Sequence, residues 1–205
     1  LKASSLSLFN NGTNALLAAV DALEFSGQVI TTPFTFAATP HCLTYRNIEP
    51  VFCDVDEQTM TLDPVRVEEL IGPQTTGILG VHVYGIPCHV QELGELAKKH
   101  QLKILYDAAH AFGLEIQGKP IGSFGDISMF SFHATKLFHT AEGGCLVFNH
   151  PSHKTKADLL KNFGIKNEDE VELVGINGKM SEIHAAIGLE VLDVLESERI
   201  RRQKI

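Results

Sequence analysis

Positive charge is scarce in this 205-residue sequence, where 17 Lys and Arg stand against 25 Asp and Glu for a net charge of -8. With a pI near 5.6, the chain lacks the basic face that nucleic-acid phosphates require, which excludes a nucleic-acid partner. Long hydrophobic runs are missing too. The longest apolar stretches are strand-length pieces, and the N-terminal "LKASSLSLFNNG" carries no signal-peptide pattern, so a cytoplasmic protein without a membrane partner is expected. Cysteine is sparse and scattered: Cys42, Cys53, Cys88 and Cys145 form no C-x-x-C pair, which argues against a zinc site or a disulfide framework and predicts buried thiols. The first strand candidate is not followed by G-x-G-x-x-G, since "FNNGTNAL" is no such turn, and a nicotinamide-dependent oxidoreductase is set aside. There is no internal repeat, low-complexity tract or clear interdomain linker.

What is present is enough for one sizeable core, with 44% hydrophobic and 20% charged residues. Short β-branched or aromatic runs alternate with helical patterns, the habit of an α/β domain with a largely parallel sheet. The strand candidates are "LSLF", "QVITTP", "PVFCDV", "GILGVHVYG", "LKILYDAA", "ISMFSFH" and "GCLVFN". Helices are expected over "TNALLAAVDALEF", "PVRVEELI" and "HVQELGELAKKH". A last helix starts near Ser181, its N-cap, with Ile183, Ile187, Val191, Val194 and Leu195 recurring at helical spacing. The polar stretch "HPSHKTKADLLKNFGIKNEDEVELVGINGK" reads as a helix followed by a long surface loop. Because the chain opens almost directly on a strand and stops in or just after a helix, a fragment of a longer protein is expected.

Three places could carry chemistry. In "NNGTNALL", Gly12 and Thr13 fall where a strand turns into a helix, so free backbone N–H groups and the Thr13 hydroxyl form an anion site, although Thr13 or Asn14 could equally be a plain cap. In "LYDAAHAFG", Asp107 ends an apolar strand, the sheet edge where ligands bind, with His110 three residues on; a cap for the following helix is the competing reading. In "SFHATKLFHTAEGG", Lys136 follows a strand candidate and is flanked by Ser131, His133 and the pair Gly143 and Gly144. A lysine confined near other cationic groups has a lowered pKa and can form a Schiff base with a carbonyl, whereas a loop lysine alone is ordinarily a surface residue. Together, a phosphate cradle, a carboxylate for a ring nitrogen and an imine-forming lysine are the three handles that pyridoxal phosphate requires.

The motifs "NNGTNALL", "TTPFTFAAT", "DAAHAFG", "GDISMFSFHATKLFHTAEGG" and "GINGKMSEIHAAIGLEVL" resemble, in content and spacing, those of the DegT/DnrJ/StrS family of pyridoxal-phosphate sugar aminotransferases, over nearly the whole chain. The resemblance implies an aspartate-aminotransferase-like (fold type I) α/β fold. Residues 1–205 would then be the large cofactor-binding domain, with a helix over 181–205 leading towards a small C-terminal domain that the sequence does not include. It implies that Lys136 forms the Schiff base and moves the proton, that Asp107 pairs with the pyridinium nitrogen, and that His110 lies by the cofactor's ring hydroxyl. Gly12, Thr13 and Asn14 would form the phosphate turn, helped by Ser131, and Phe36 would stack on the ring. Asn177 would reach the cofactor phosphate of the neighbouring subunit, which implies a homodimer with shared sites. The implied reaction moves an amino group from glutamate to a keto carbon of a nucleotide-linked deoxysugar, with His110 favouring a 4-keto over a 3-keto substrate. A non-catalytic member of the same fold is the alternative, and the intact lysine, aspartate and phosphate turn argue against it. Lys179 departs from the family habit of arginine, keeping the charge but giving up a bidentate contact.

Overall fold

The computed structural model describes residues 1–204. In chain order the elements are β1 (Leu6–Phe9), α1 (Gly12–Ala22), β2 (Gln28–Thr31), α2 (Ala38–Thr44), β3 (Glu49–Phe52), α3 (Pro64–Leu70), β4 (Thr75–Val81), α4 (Val90–His100) and β5 (Lys103–Asp107). There follow β6 (Glu115–Ile116), β7 (Lys119–Pro120), β8 (Ile127–Ser131), β9 (Gly144–Phe148), α5 (Pro151–Leu160), β10 (Ile165–Asn167), β11 (Glu170–Val171) and α6 (Glu182–Arg202). Seven strands form one sheet in the order β1-β9-β8-β5-β4-β2-β3. Within it only β9 runs against its neighbours.

Strand periodicity divides the core between the two faces. Leu79, Leu105, Met129 and Leu146 join α1, α2 and α5 on one side. Ile78, Ile104, Tyr106, Phe130 and Val147 join α3 and α4 on the other. Burying both faces is why these strands read as continuous apolar runs. Helix starts follow local chemistry. The Asn11 side chain accepts from Asn14 N at 2.7 Å to cap α1, and Asp63 accepts from Val65 N at 2.9 Å ahead of Pro64 in α3. α4 carries Lys98, Lys99 and His100 in its last turn and stops at Gln101, which is left-handed (φ 57°).

The sheet, its flanking helices and the Ser181 cap of α6 agree with the sequence reading. All four cysteines are free and buried, and no described helix is long and apolar enough to cross a membrane. Four features differ. The strand in "GILGVHVYG" ends at Val81, and "VYG" becomes a tight turn. The strand in "QVITTP" ends at Thr31, and "ATPHCLT" forms α2, which no strong sequence period announces; Pro40 is tolerated because it lies in the first turn. The loop expected after α5 contains the β10–β11 hairpin. In α6, Ile187, Val191 and Leu195 are half-buried, whereas Ile183 and Val194 are 75% and 55% exposed.

Candidate active site

The carboxyl ends of the parallel strands meet along one edge, and a cavity of about 620 Å³ opens there. β1 delivers the start of α1, β4 delivers Val81 and His82, β5 ends on Asp107, and β8 ends on Ser131, with Lys136 in the loop beyond. This gathering follows from the topology: successive parallel strands place their last residues on the same edge.

The start of α1 leaves donors without partners. Asn14 N is taken by the Asn11 cap, and Ala15 N donates to Asn11 O at 3.2 Å, while Gly12 N and Thr13 N have no hydrogen-bond acceptor among the described residues, and Gly12 and Thr13 both line the cavity. Two glycines let this turn sit tight on the sheet. A Cβ on Gly12 would meet Met129 Sδ and Ser131 Cβ at 3.3 Å, and one on Gly144 would stand 2.9 Å from the backbone of Asn11 and Gly12.

Asp107 is buried, 6% exposed, and both its oxygens accept hydrogen bonds: Oδ2 from Thr39 Oγ1 at 2.8 Å and Oδ1 from Ala109 N at 3.1 Å. Burial pushes its pKa up, while those two hydrogen bonds and the nearby His110 and Lys136 pull the other way without cancelling it. No cationic group forms an ion pair with it among the described residues. A buried carboxylate of this kind, lining a cavity, is a ready acceptor for a cationic group of a ligand.

Lys136 is half-buried, its backbone N–H donating to His133 O at 2.9 Å. Burial lowers its ammonium pKa, and the only opposing influence is Asp107. The result is an amine on the cavity wall with a larger neutral, nucleophilic fraction than a surface lysine has. His110 accepts the Tyr84 N–H at Nδ1, 3.1 Å away, and its ring lies parallel to that of Tyr84 with centroids 5.9 Å apart. Burial, then Lys136, lowers its pKa against the opposing pull of Asp107. Phe36 stands at the cavity with 80% of its surface exposed, an aromatic face open to a ligand.

Of the residues singled out from sequence, Gly12, Thr13, Phe36, Asp107, His110, Ser131 and Lys136 line this one cavity. Asn14 and Asn177 do not. Asn14 Nδ2 donates to Asn10 Oδ1 at 2.9 Å, and Asn177 Oδ1 accepts from Lys179 Nζ at 2.9 Å. The cavity also includes Asn11, His82, Tyr84, His133 and Glu142, and Asp107 depends on Thr39. All six lie in quoted segments, but only His133 was named, as a neighbour of Lys136, and none was assigned a role. Among the described residues no cluster could hold a metal ion.

A model of the DegT/DnrJ/EryC1/StrS aminotransferase family matches residues 3–205. The chain belongs to that family. Relatives of this DegT/DnrJ/EryC1/StrS chain include a dTDP-4-amino-4,6-dideoxy-D-glucose transaminase of Shigella dysenteriae, 50% identical over 94% of the chain. The alignment covers 52% of that protein, so the chain spans about half the length of the curated relatives it matches. Among solved structures, DesI in the presence of its TDP-sugar product superposes with a TM-score of 0.90 at 40% identity, over 96% of this chain and 51% of that one. The ntda protein of Bacillus subtilis with bound cofactor PMP superposes with a TM-score of 0.88 at 29% identity, over 94% and 45%.

Proposed function

We propose that residues 1–205 act as the cofactor-binding large domain of a pyridoxal-phosphate-dependent aminotransferase that moves an amino group from glutamate to the 4-keto carbon of a nucleotide-linked deoxysugar. One observation carries the reading: the buried carboxylate of Asp107, which has no ion-pair partner among the described residues, and the pKa-lowered amine of Lys136 line the same cavity as Gly12 and Thr13 at the start of α1. That set fits the cofactor: a cationic ring nitrogen for the carboxylate, a carbonyl for the amine and a phosphate for the helix start. The preference for the 4-position rests on the transaminase relative named for a 4-amino sugar.

When bound, pyridoxal phosphate supplies a conjugated ring that accepts the electron pair released as a proton leaves the substrate carbon. Asp107, ionised, keeps the ring nitrogen protonated, and its hydrogen bonds from Thr39 and Ala109 support that charge. Lys136 would hold the cofactor at its carbonyl end, and its Nζ would take up and return the proton that leaves the substrate carbon. Gly12, Thr13 and Ser131 hold the phosphate. Phe36 covers a ring face and excludes water. Asn177, outside this chain's own cavity, serves the cofactor phosphate of a second copy in a homodimer. The four unpaired thiols suit a reducing, cytoplasmic compartment.

The test is to add pyridoxal phosphate, reduce with borohydride and locate the modified peptide by mass spectrometry. A label on Lys136 is expected. Stoichiometric label elsewhere, or none in either this chain or a longer form, overturns the assignment.

A further inference from the structure

Val81 ends β4, and the chain then turns through Val83–Gly85, with Ile86 N donating to Val83 O at 2.9 Å. Both central residues are left-handed: Tyr84 has φ 52° and Gly85 φ 81°. Two positive φ angles across such a hydrogen bond make a type I′-like turn, whose first central position favours Asn, Asp or Gly. Gly85 suits its position, and a Cβ there would meet His110 O at 3.1 Å. Tyr84 does not suit its own, because a bulky side chain in this region is a conformational outlier.

Core burial does not account for the tyrosine, which is 73% exposed. What its backbone does is aim an N–H at His110 Nδ1, 3.1 Å away, while its ring lies parallel to the imidazole, with 1° between the two ring planes. An imidazole nitrogen that accepts from an amide cannot carry a hydrogen. The other nitrogen, Nε2, must then carry it in the neutral ring.

We propose that Tyr84 is a positioning residue: its left-handed backbone fixes His110 as the Nε2–H tautomer and its ring sets the plane of the imidazole in the cavity wall. This deepens the proposed function and rests on it for its meaning, because His110 lines the site assigned to the cofactor. A neutral imidazole with Nε2–H is a hydrogen-bond donor that brings no second positive charge next to Lys136. The charged groups acting on His110 are Lys136, from the loop after β8, and Asp107, from β5; they oppose one another, and burial favours the neutral ring. The Tyr84 N–H adds to that preference, since a doubly protonated ring would turn donor against donor.

The test uses the chain without cofactor, so it does not depend on turnover. Nitrogen-15 spectra of the imidazole report which nitrogen carries hydrogen, and a pH titration gives the protonation midpoint of His110. The parent chain, Tyr84→Phe and Tyr84→Gly all keep the N–H and are expected to show Nδ1 unprotonated. Tyr84→Val, β-branched and averse to the left-handed region, is expected to lose that tautomer preference and raise the midpoint by about half to one pH unit, the scale of one neutral hydrogen bond. A parent ring protonated on Nδ1 overturns the proposal. So does a Tyr84→Val chain that remains folded by circular dichroism with tautomer and midpoint unmoved. Failure of pyridoxal phosphate to label Lys136, with the His110 result as expected, would overturn the cofactor reading and leave the Tyr84–His110 geometry standing.

Discussion

Replacing Gly144 with alanine isolates the role of close backbone approach at the start of α1. Gly144 is paired with Phe9, the last residue of β1, on one side and with Ser131, the last of β8, on the other. A Cβ there would lie 2.9 Å from Asn11 C and from Gly12 N and Cα, all backbone atoms, so no side-chain rotation relieves the clash. Reaching ordinary contact means moving the start of α1 by about 0.5 Å relative to β9. The φ of Gly144 lies outside the left-handed region, so the penalty is steric and not conformational. Overpacking of this kind costs about 1–3 kcal/mol, a fall of about 5- to 150-fold in the folding equilibrium. The displaced groups are the free N–H donors of Gly12 and Thr13, so pyridoxal phosphate affinity should fall as well. Gly94→Ala provides the control: in mid-α4 nothing lies within 4 Å of the added Cβ, and the exchange should stabilise the chain by about 0.5–1 kcal/mol. Urea unfolding followed by circular dichroism, with absorbance titration of the cofactor, reads both effects. A Gly144→Ala chain with the parent's unfolding midpoint and cofactor affinity would refute the close-approach reasoning.

Asp107→Asn should separate stability from chemistry. The Asp107 carboxyl is held above its ordinary pKa, so the unfolded chain loses its proton first and the cofactor-free fold loses stability as pH climbs above the usual carboxylate range. The asparagine removes that dependence, and should leave the chain at least as stable at neutral pH while slowing amino transfer by about 10²–10⁴; a destabilised, fully active variant would contradict both halves. His82 gives the opposite pH behaviour. Fully buried, with Nδ1 accepting from Cys88 N at 3.0 Å, it is lowered by burial to a pKa of about 3. The unfolded chain takes up its proton first as pH falls below about 6.5, so stability should drop by about 2 kcal/mol by pH 5 and further towards pH 3. In His82→Gln, whose amide oxygen can still accept from Cys88, urea midpoints should vary less over that window, and an unchanged slope would exclude His82 as its source. If Asn177 serves a second copy's site, mixing Lys136→Ala with Asn177→Ala chains should restore part of the lost activity through heterodimers; no recovery would point to self-contained sites.

Much of the site was legible because its chemistry sits at strand ends. An apolar run that stops on a charged or hydroxyl residue, as at Asp107 or Ser131, marks the carboxyl edge of a parallel sheet wherever that strand lies in the order. The residues that complete the site depend on distances no local pattern encodes. Thr39, which donates to Asp107, is 68 positions away from it. It lies on α2, a seven-residue helix with only Thr39, Cys42 and Leu43 buried, too short to show a period. Tyr84 looked like strand sequence because valine and tyrosine favour strands. Its left-handed backbone belongs to a two-residue turn and brings its N–H to His110 Nδ1, a conformation that local propensity would not choose.

The apolar positions of α6 mark the same boundary from another side. Helical spacing states which residues share a face, not what that face meets. Ile187, Val191 and Leu195 turn partly inward, and Gly188 is buried, so close to the next segment that a Cβ there would stand 2.7 Å from Thr140 Cγ2. Thr140 in turn donates to Glu142 O at 2.7 Å, and Glu142 lines the cavity two residues before Gly144. The inward face of α6 therefore bears on the loop that carries Lys136. That contact between α6 and the segment joining β8 to β9 is one the sequence period alone does not express.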